Sequence, residues 1–136
     1  ANKQALAKII LQTTGTVVDP TSIFDCHIKR MHEYKRQLLN AVHIVSLWLR
    51  AKRGEAQTPR TFVFGGKAAP GYRKAKLIIR LCHAVGEKVR ADKRAAGLLT
   101  PLFVPNYCVS VAERLLPGTG SARAHAPSAC AKPRMR

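Results

Sequence analysis

The chain has 136 residues, 46% of them hydrophobic, and sets 24 Lys and Arg against 7 Asp and Glu, for a formal net charge of +17. That length and apolar content support one globular domain with a core and argue against disorder, and no run approaches the ~20 consecutive apolar residues that cross a bilayer. The charge predicts attraction to anions, whether phosphates, nucleic acid or an acidic protein surface. The basic residues, however, are spread from Lys3 to Arg136 with only 6% aromatics, so a basic tail threaded with aromatic rings is absent.

Asn2 to Leu11 reads as an amphipathic helix with Leu6, Ile9 and Ile10 on its apolar side and Asn2 as a cap. Thr13-Thr14-Gly15 ends it, and Asp19-Pro20-Thr21 is a turn. Residues 23–28 form a short strand that delivers Lys29 and Arg30 to its carboxyl end. From Tyr34 to about Lys52 the pattern is helical, with Leu38, Val42, Val45 and Leu49 recurring at three or four. Ala41, Ile44, Leu47 and Trp48 extend the apolar surface around that helix, which predicts that it is well buried.

Gly54 closes the helix and Glu55 to Pro59 is a surface loop. Thr61-Phe62-Val63-Phe64, stopped by Gly65-Gly66, is a second strand, and Pro70 suits the first turn of the next helix. In that helix Ala75, Ile78, Ile79, Cys82, Val85 and Val89 make one face. Ala91 to Gly97 is a basic loop, Leu102-Phe103-Val104 a third strand, and Val109 to Leu116 a further helical turn or two. Strands alternating with helices predict an α/β fold, a Rossmann-like parallel sheet with flanking helices. Ligands of such sheets bind at the carboxyl ends of the strands, where Lys29, Gly65 and Asn106 all begin conspicuous segments that can open on one crevice.

Cys26, Cys82, Cys108 and Cys130 are far apart, with no C-x-x-C pair. Cys26-His27 and Cys82-His83 invite a metal reading, but adjacent residues rarely share one metal, so buried free thiols are expected and no metal is assigned. A disulfide framework does not suit the cytoplasmic location taken as the default for a chain with no secretory leader.

Lys29, Arg30 and Lys35 sit between the first strand and the long helix. A helix start offers outward N–H groups and a favourable dipole to an anion. At ~4 Å and an effective dielectric of about 20, each cation attracts a unit negative charge by on the order of 4 kcal/mol before desolvation.

The stretch Lys29-Arg30-Met31-His32-Glu33-Tyr34-Lys35-Arg36-Gln37-Leu38-Leu39-Asn40 closely resembles the KR-x-HEYKRQLLN signature of the α-glucan phosphorylases, the glycogen and starch phosphorylases. Asn2 to Ile10, Thr14-Gly15, Asp19-Pro20 and Phe24-Asp25 resemble the family's preceding segment. Gly65-Gly66-Lys67-Ala68-Ala69-Pro70-Gly71-Tyr72 resembles its GGKAAPGY, and Asn106-Tyr107, Val109-Ser110 and Ala112-Glu113 its NY-x-VS-x-AE. The resemblance covers roughly residues 2–117, in order and at family-like spacing.

It implies part of the second domain of a two-Rossmann-domain glycosyltransferase. Such enzymes phosphorolyse terminal α-1,4-glucosyl units of glycogen, starch or maltodextrin to glucose 1-phosphate, with inorganic phosphate and the α-1,4-glucan as partners. Pyridoxal phosphate serves through its own phosphate group. Two neighbouring phosphates repel, so the site needs dense cationic cover. By the resemblance, Arg30 holds the substrate phosphate through its planar fork, Lys35 reaches substrate and cofactor phosphates, and Lys29 lies near the cofactor phosphate. Tyr107 lies beside the cofactor and Tyr72 belongs to an inhibitor pocket near the entrance. His32, Tyr34 and Lys67 are candidates for supporting roles, and Glu33 reads as a partner for neighbouring cations. Gly65-Gly66-Lys67 is neither G-x-G-x-x-G nor a P-loop. The family further implies a homodimer and a cytoplasmic location, or a plastid one in a plant or alga.

Residues 118–136 depart from the family, which continues into a sugar-binding loop and the lysine that forms a Schiff base with pyridoxal phosphate. This Ala-, Pro- and Arg-rich tail has no acid and reads as disordered, and Lys132 does not match the family's cofactor-lysine motif. The chain opens on Ala1 within a helical pattern and reads as a fragment, expected to be inactive alone. Two other readings stand beside the phosphorylase: a non-catalytic anion-binding module, and a basic nucleic-acid-binding protein.

Overall fold

The computed structural model of the chain describes residues 2–105. Helix α1 (Asn2–Thr14) leads to strand β1 (Ile23–Ile28), a 3-10 turn (Glu33–Lys35) and helix α2 (Gln37–Lys52). Strand β2 (Arg60–Gly65), helix α3 (Arg73–Ala91) and strand β3 (Leu99–Val104) follow. All pairings are parallel, in the order β1-β2-β3. The expected α/β architecture is therefore present.

Strand β1 has the expected bounds; the other elements differ in instructive ways. Helix α1 runs on to Thr14, with the Thr13 and Thr14 hydroxyls turned back onto the Ile9 and Ile10 carbonyls, both at 2.8 Å. Gly15, at φ 69°, then ends the helix with its N–H on the Leu11 carbonyl at 2.9 Å. Helix α3 begins at Arg73, not at Pro70: the Tyr72 N–H closes a turn onto Ala69 at 3.0 Å, and Pro70 lies within it. Strand β3 starts at Leu99 and contains Pro101. Among the described residues β3 pairs on one side only, so the missing proline N–H breaks no ladder bond.

Alternate side chains of the strands feed two layers. On one side Phe62, Phe64 and Leu99 pack with Ala41, Ile44, Leu47 and Ala51 of α2 and Ala75, Ile78, Cys82 and Val89 of α3. On the other, Phe24, Cys26, Val63, Leu102 and Val104 pack against Leu6 and Ile10 of α1. Phe24, Phe62 and Phe64 are each fully buried, and burying such a side chain stabilises by about 1.5–3 kcal/mol.

Helix α2 corrects two expectations. It does not start at Tyr34. Arg36 adopts a left-handed conformation (φ 62°, ψ 28°) between the 3-10 turn and the α-helix proper. Nor is it buried all round. Leu38, Val42 and Leu49, three of the four residues of its apolar repeat, are 48%, 55% and 48% exposed, and the buried face is Gln37, Ala41, Ile44, Leu47 and Ala51. A helix apolar around most of its girth carries no periodicity that selects a face. The partner surface selects it instead, with Ala41, Ile44, Leu47 and Ala51 packed in one core with Phe62 and Phe64.

The cysteine expectation holds where it can be seen. Cys26 and Cys82 are buried and free, and burial pushes their thiols up to about 12 and about 11, with the Asp25 charge adding to the first. Their neighbours are otherwise engaged: the His27 ring meets Asn40 and stacks on Phe64, and His83 stacks on Phe103. Cys108, Cys130, the helix expected over 109–116 and the tail lie outside the described residues. Among the described residues no helix is long and apolar enough to cross a membrane.

Candidate functional site

The registers Ile28↔Gly65 and Gly65↔Val104 end the three strands level with one another. The segments after β1 and β2 therefore leave the sheet side by side, and backbone bonds lace them together. Lys29 N–H donates to Gly65 O at 2.9 Å, and Met31 N–H to Lys67 O at 3.1 Å. Gly66 is the point of closest approach. A Cβ there would lie 2.9 Å from the Lys29 carbonyl carbon and closer still to its oxygen, so only glycine lets the two backbones meet. Gly66 thus serves the packing of the two segments.

The signature segment is fastened from below. Met31 is 2% exposed and belongs to the core between sheet and helices. Gln37, at the first position of α2, is fully buried. Its Nε2 donates to the Arg30 carbonyl at 3.1 Å, and its Oε1 accepts from the His32 N–H at 3.5 Å. A buried amide with no partner costs about 1–3 kcal/mol by mutational measures, so these contacts are required of it. Arg30 itself stays exposed above the fastened backbone.

A second tie links the segments higher up. The Tyr72 hydroxyl donates to Glu33 Oε2 at 2.7 Å and accepts from the Glu33 N–H at 3.2 Å. Lys74 Nζ donates to Glu33 Oε1 at 3.1 Å. The Tyr72 and Lys74 bonds hold the Glu33 carboxyl below the usual carboxylate range, and the same contacts raise Tyr72 and Lys74. Glu33 is the partner for cations that its setting predicted. His32 lies against both tyrosines, 4.2 Å from the Tyr34 ring and 5.1 Å from the Tyr72 ring by centroids. Its Nδ1 accepts from the Tyr34 N–H at 3.4 Å.

The charges gather on this edge. Segments 29–37 and 65–74 hold Lys29, Arg30, Lys35, Arg36, Lys67, Arg73 and Lys74 against the single acid Glu33. Among the described residues Lys74 alone of these pairs with that carboxylate. Lys35 Nζ lies 5.6 Å from the centre of the Tyr34 ring, and among the described residues no carboxylate pairs with Lys29, Arg30 or Lys67.

Lys29, Arg30, Lys67, His32, Tyr34, Lys35 and Tyr72 are therefore on two adjoining segments at one sheet edge. Tyr107 lies outside the described residues. The expected helix-start anion site is altered, because the left-handed Arg36 separates Lys35 from α2, and Arg36 provides no side-chain cap. Two residues escaped the sequence reading. Gln37 looked like an ordinary polar residue at a helix start, and Lys74 meets Glu33 across 41 positions, a distance at which sequence carries no local signal.

Comparison with known proteins agrees with the geometry. The family model of the carbohydrate phosphorylases matches residues 1–125. The chain is 50% identical over 120 residues to a glycogen phosphorylase of Chlamydia pneumoniae, covering 87% of this chain and 15% of that protein. It is 50% identical over 119 residues to the Bacillus subtilis glycogen phosphorylase, covering 86% of this chain and 15% of the other. With the potato (Solanum tuberosum) alpha-glucan phosphorylase H isozyme the identity is 47% over 124 residues, covering 88% and 15%. The chain thus spans about 15% of the length of the curated relatives it matches. With the family's signature folded into a laced, cation-rich sheet edge, the chain belongs to the carbohydrate phosphorylase family.

Proposed function

We propose that the chain is a portion of an α-1,4-glucan phosphorylase, which converts terminal glucosyl units of glycogen, starch or maltodextrin and inorganic phosphate to glucose 1-phosphate. In this reading residues 1–117 form part of its phosphate- and cofactor-binding domain. The observation that supports it is the pair of laced segments at level strand ends, carrying Lys29, Arg30 and Lys67 with no carboxylate partner among the described residues. Cations without a described carboxylate partner at one end of the sheet suit a polyanion, because no acid among the described residues competes for them.

Arg30 takes the substrate phosphate, where a planar fork bonds two oxygens at once. Lys35 and Lys29 add point charges around it, and Lys67 sits on the adjoining segment. Met31 and Gln37 hold the segment's backbone, so the cations are presented without refolding. The surplus of cations fits the two phosphates of such a site; when bound, pyridoxal phosphate supplies the second of them and its acid–base chemistry. A homodimeric whole enzyme in the cytoplasm or a plastid belongs to the same proposal. In the same proposal the chain is inactive by itself, since it spans about 15% of the length of the relatives it matches.

Titration of the purified chain with inorganic phosphate, followed by NMR, tests the site. Saturable shifts at Lys29, Arg30 and Lys67 are expected, with affinity about tenfold weaker in Arg30→Ala and unchanged in Arg94→Ala, in the turn that follows α3. Equal losses in both variants, with a steep salt dependence, identify a general polyanion surface instead. Glucose 1-phosphate formed from glucan and phosphate above a blank overturns the inactivity.

A further inference from the structure

Among the described residues Gln37 is the long polar side chain that is buried completely, and it is spent on one short loop. Ser22 and Thr61, the other buried polar residues among those described, bond one another at 2.8 Å and serve the α1 side of the sheet. Gln37 instead brackets Met31. Its amide holds the carbonyl of the residue before and faces the N–H of the residue after, while the Met31 N–H is held by Lys67. Two of these bonds act on the Arg30–Met31 peptide, through the Arg30 carbonyl and the Met31 N–H, and the third holds the next peptide, Met31–His32.

The backbone is bent to make this possible. Arg36, a residue with no intrinsic ease in the left-handed region, adopts it immediately before Gln37. The bend is fixed on both sides, by the Arg36 N–H on Glu33 O at 3.2 Å and by the Asn40 N–H on Arg36 O at 3.1 Å. A helix continued smoothly from Tyr34 would carry the residue at 37 along its own axis. The left-handed step turns α2 so that its first side chain lies under the 30–32 loop. An apolar residue there would fill the same space but take away the partner of the Arg30 carbonyl and of the His32 N–H, so it is the loop backbone, not packing, that calls for an amide.

We infer that Gln37 is a positioning residue of the phosphate site, which fixes the Arg30 peptide through Nε2 and so sets where the Arg30 guanidinium meets the phosphate. This rests on the phosphate reading proposed above. Gln37 does not touch the anion; it acts through Arg30.

The test compares inorganic phosphate affinity in the 136-residue chain with that of Gln37→Met, Gln37→Glu and Arg30→Ala. Gln37→Met keeps the volume and loses both bonds; phosphate binds about tenfold more weakly although circular dichroism shows the fold retained. Gln37→Glu keeps an acceptor and loses the donor at neutral pH. As the buried carboxyl is protonated toward about pH 5 it regains a donor, and the Gln37→Glu deficit falls below that of Gln37→Met; relief of charge repulsion alone would bring it only to the Gln37→Met value. Affinity in Gln37→Met within about twofold of wild type, with Arg30→Ala still defective, overturns the role of Gln37 and leaves the phosphate reading intact. Arg30→Ala binding as wild type overturns both. Should Gln37→Met fail to fold, Gln37→Glu decides: a deficit that stays constant with pH overturns the inference.

Discussion

The Tyr72 hydroxyl and the Glu33 carboxylate meet at 2.7 Å across 39 positions of sequence, joining the segment after β1 to the entry of α3. Lys74 reaches the other carboxylate oxygen, so one exposed acid holds both sides of the candidate site. The Tyr72 bond, and then the Lys74 bond, hold the folded carboxyl below its ordinary value of about 4.3. A lowered folded value gives a contribution present above the unfolded value and lost as pH falls through the folded one. Thermal midpoints measured against pH should therefore fall below about pH 4.3 more gently in Glu33→Gln than in wild type. Asp19, Glu55 and Asp92 are lowered too, so the difference between the two chains, not the total acid slope, reads this tie. Identical slopes would remove Glu33 from the account.

Gly66 and Gly71 flank the same loop and should respond in opposite ways to one methyl group. A Cβ at Gly66 strikes the Lys29 carbonyl, whereas at Gly71 it meets nothing within 4 Å. Gly66→Ala is expected to cost about 1–3 kcal/mol in urea unfolding and to weaken phosphate binding by prising the two segments apart. Gly71→Ala should be near neutral. Comparable losses in both would contradict the lacing.

The orientation of α2 is open to a paired substitution. Ile44→Ala, in the core, should destabilise by about 2–5 kcal/mol. Val42→Lys, on the 55% exposed face, should leave stability nearly unchanged and lower self-association in light scattering, since it interrupts an exposed apolar stripe. If Val42→Lys unfolds the chain, that face is covered by something else.

Buried thiols give a chemical readout. With Cys26 pushed up to about 12 and Cys82 to about 11, both stay protonated at ordinary pH. Iodoacetamide at about pH 8 should label neither in the native chain and both after urea, as peptide mass mapping would reveal. A raised folded value contributes stability below the unfolded value of about 8.5, lost as pH rises through the folded one, so the chain should weaken between about pH 8.5 and 12. Rapid native labelling of Cys82 would show that the α3 side of the core opens.

Much of this protein was legible along the chain. Alternation of strand and helix patterns fixed the parallel order, because short apolar runs separated by helices leave few other ways to bury both. The bounds of β1 and the place of Lys29 and Arg30 beyond its end followed from a local switch of apolar to basic residues, and the signature identified the family. What stayed hidden was every choice that depends on a distant partner. Leu38, Val42 and Leu49 form as good a helical stripe as Ala41, Ile44 and Ala51, and only the shape of the Phe62 and Phe64 surface rejects them. Gly66 looked like a strand stop until the Lys29 carbonyl was found against it. Gln37 became the support of Arg30 only because Arg36 turns the helix beneath the loop. Local chemistry declares what a residue offers; the packing of segments far apart in sequence decides which offer is taken, since burial and hydrogen-bond partners exist only once the chain has closed on itself.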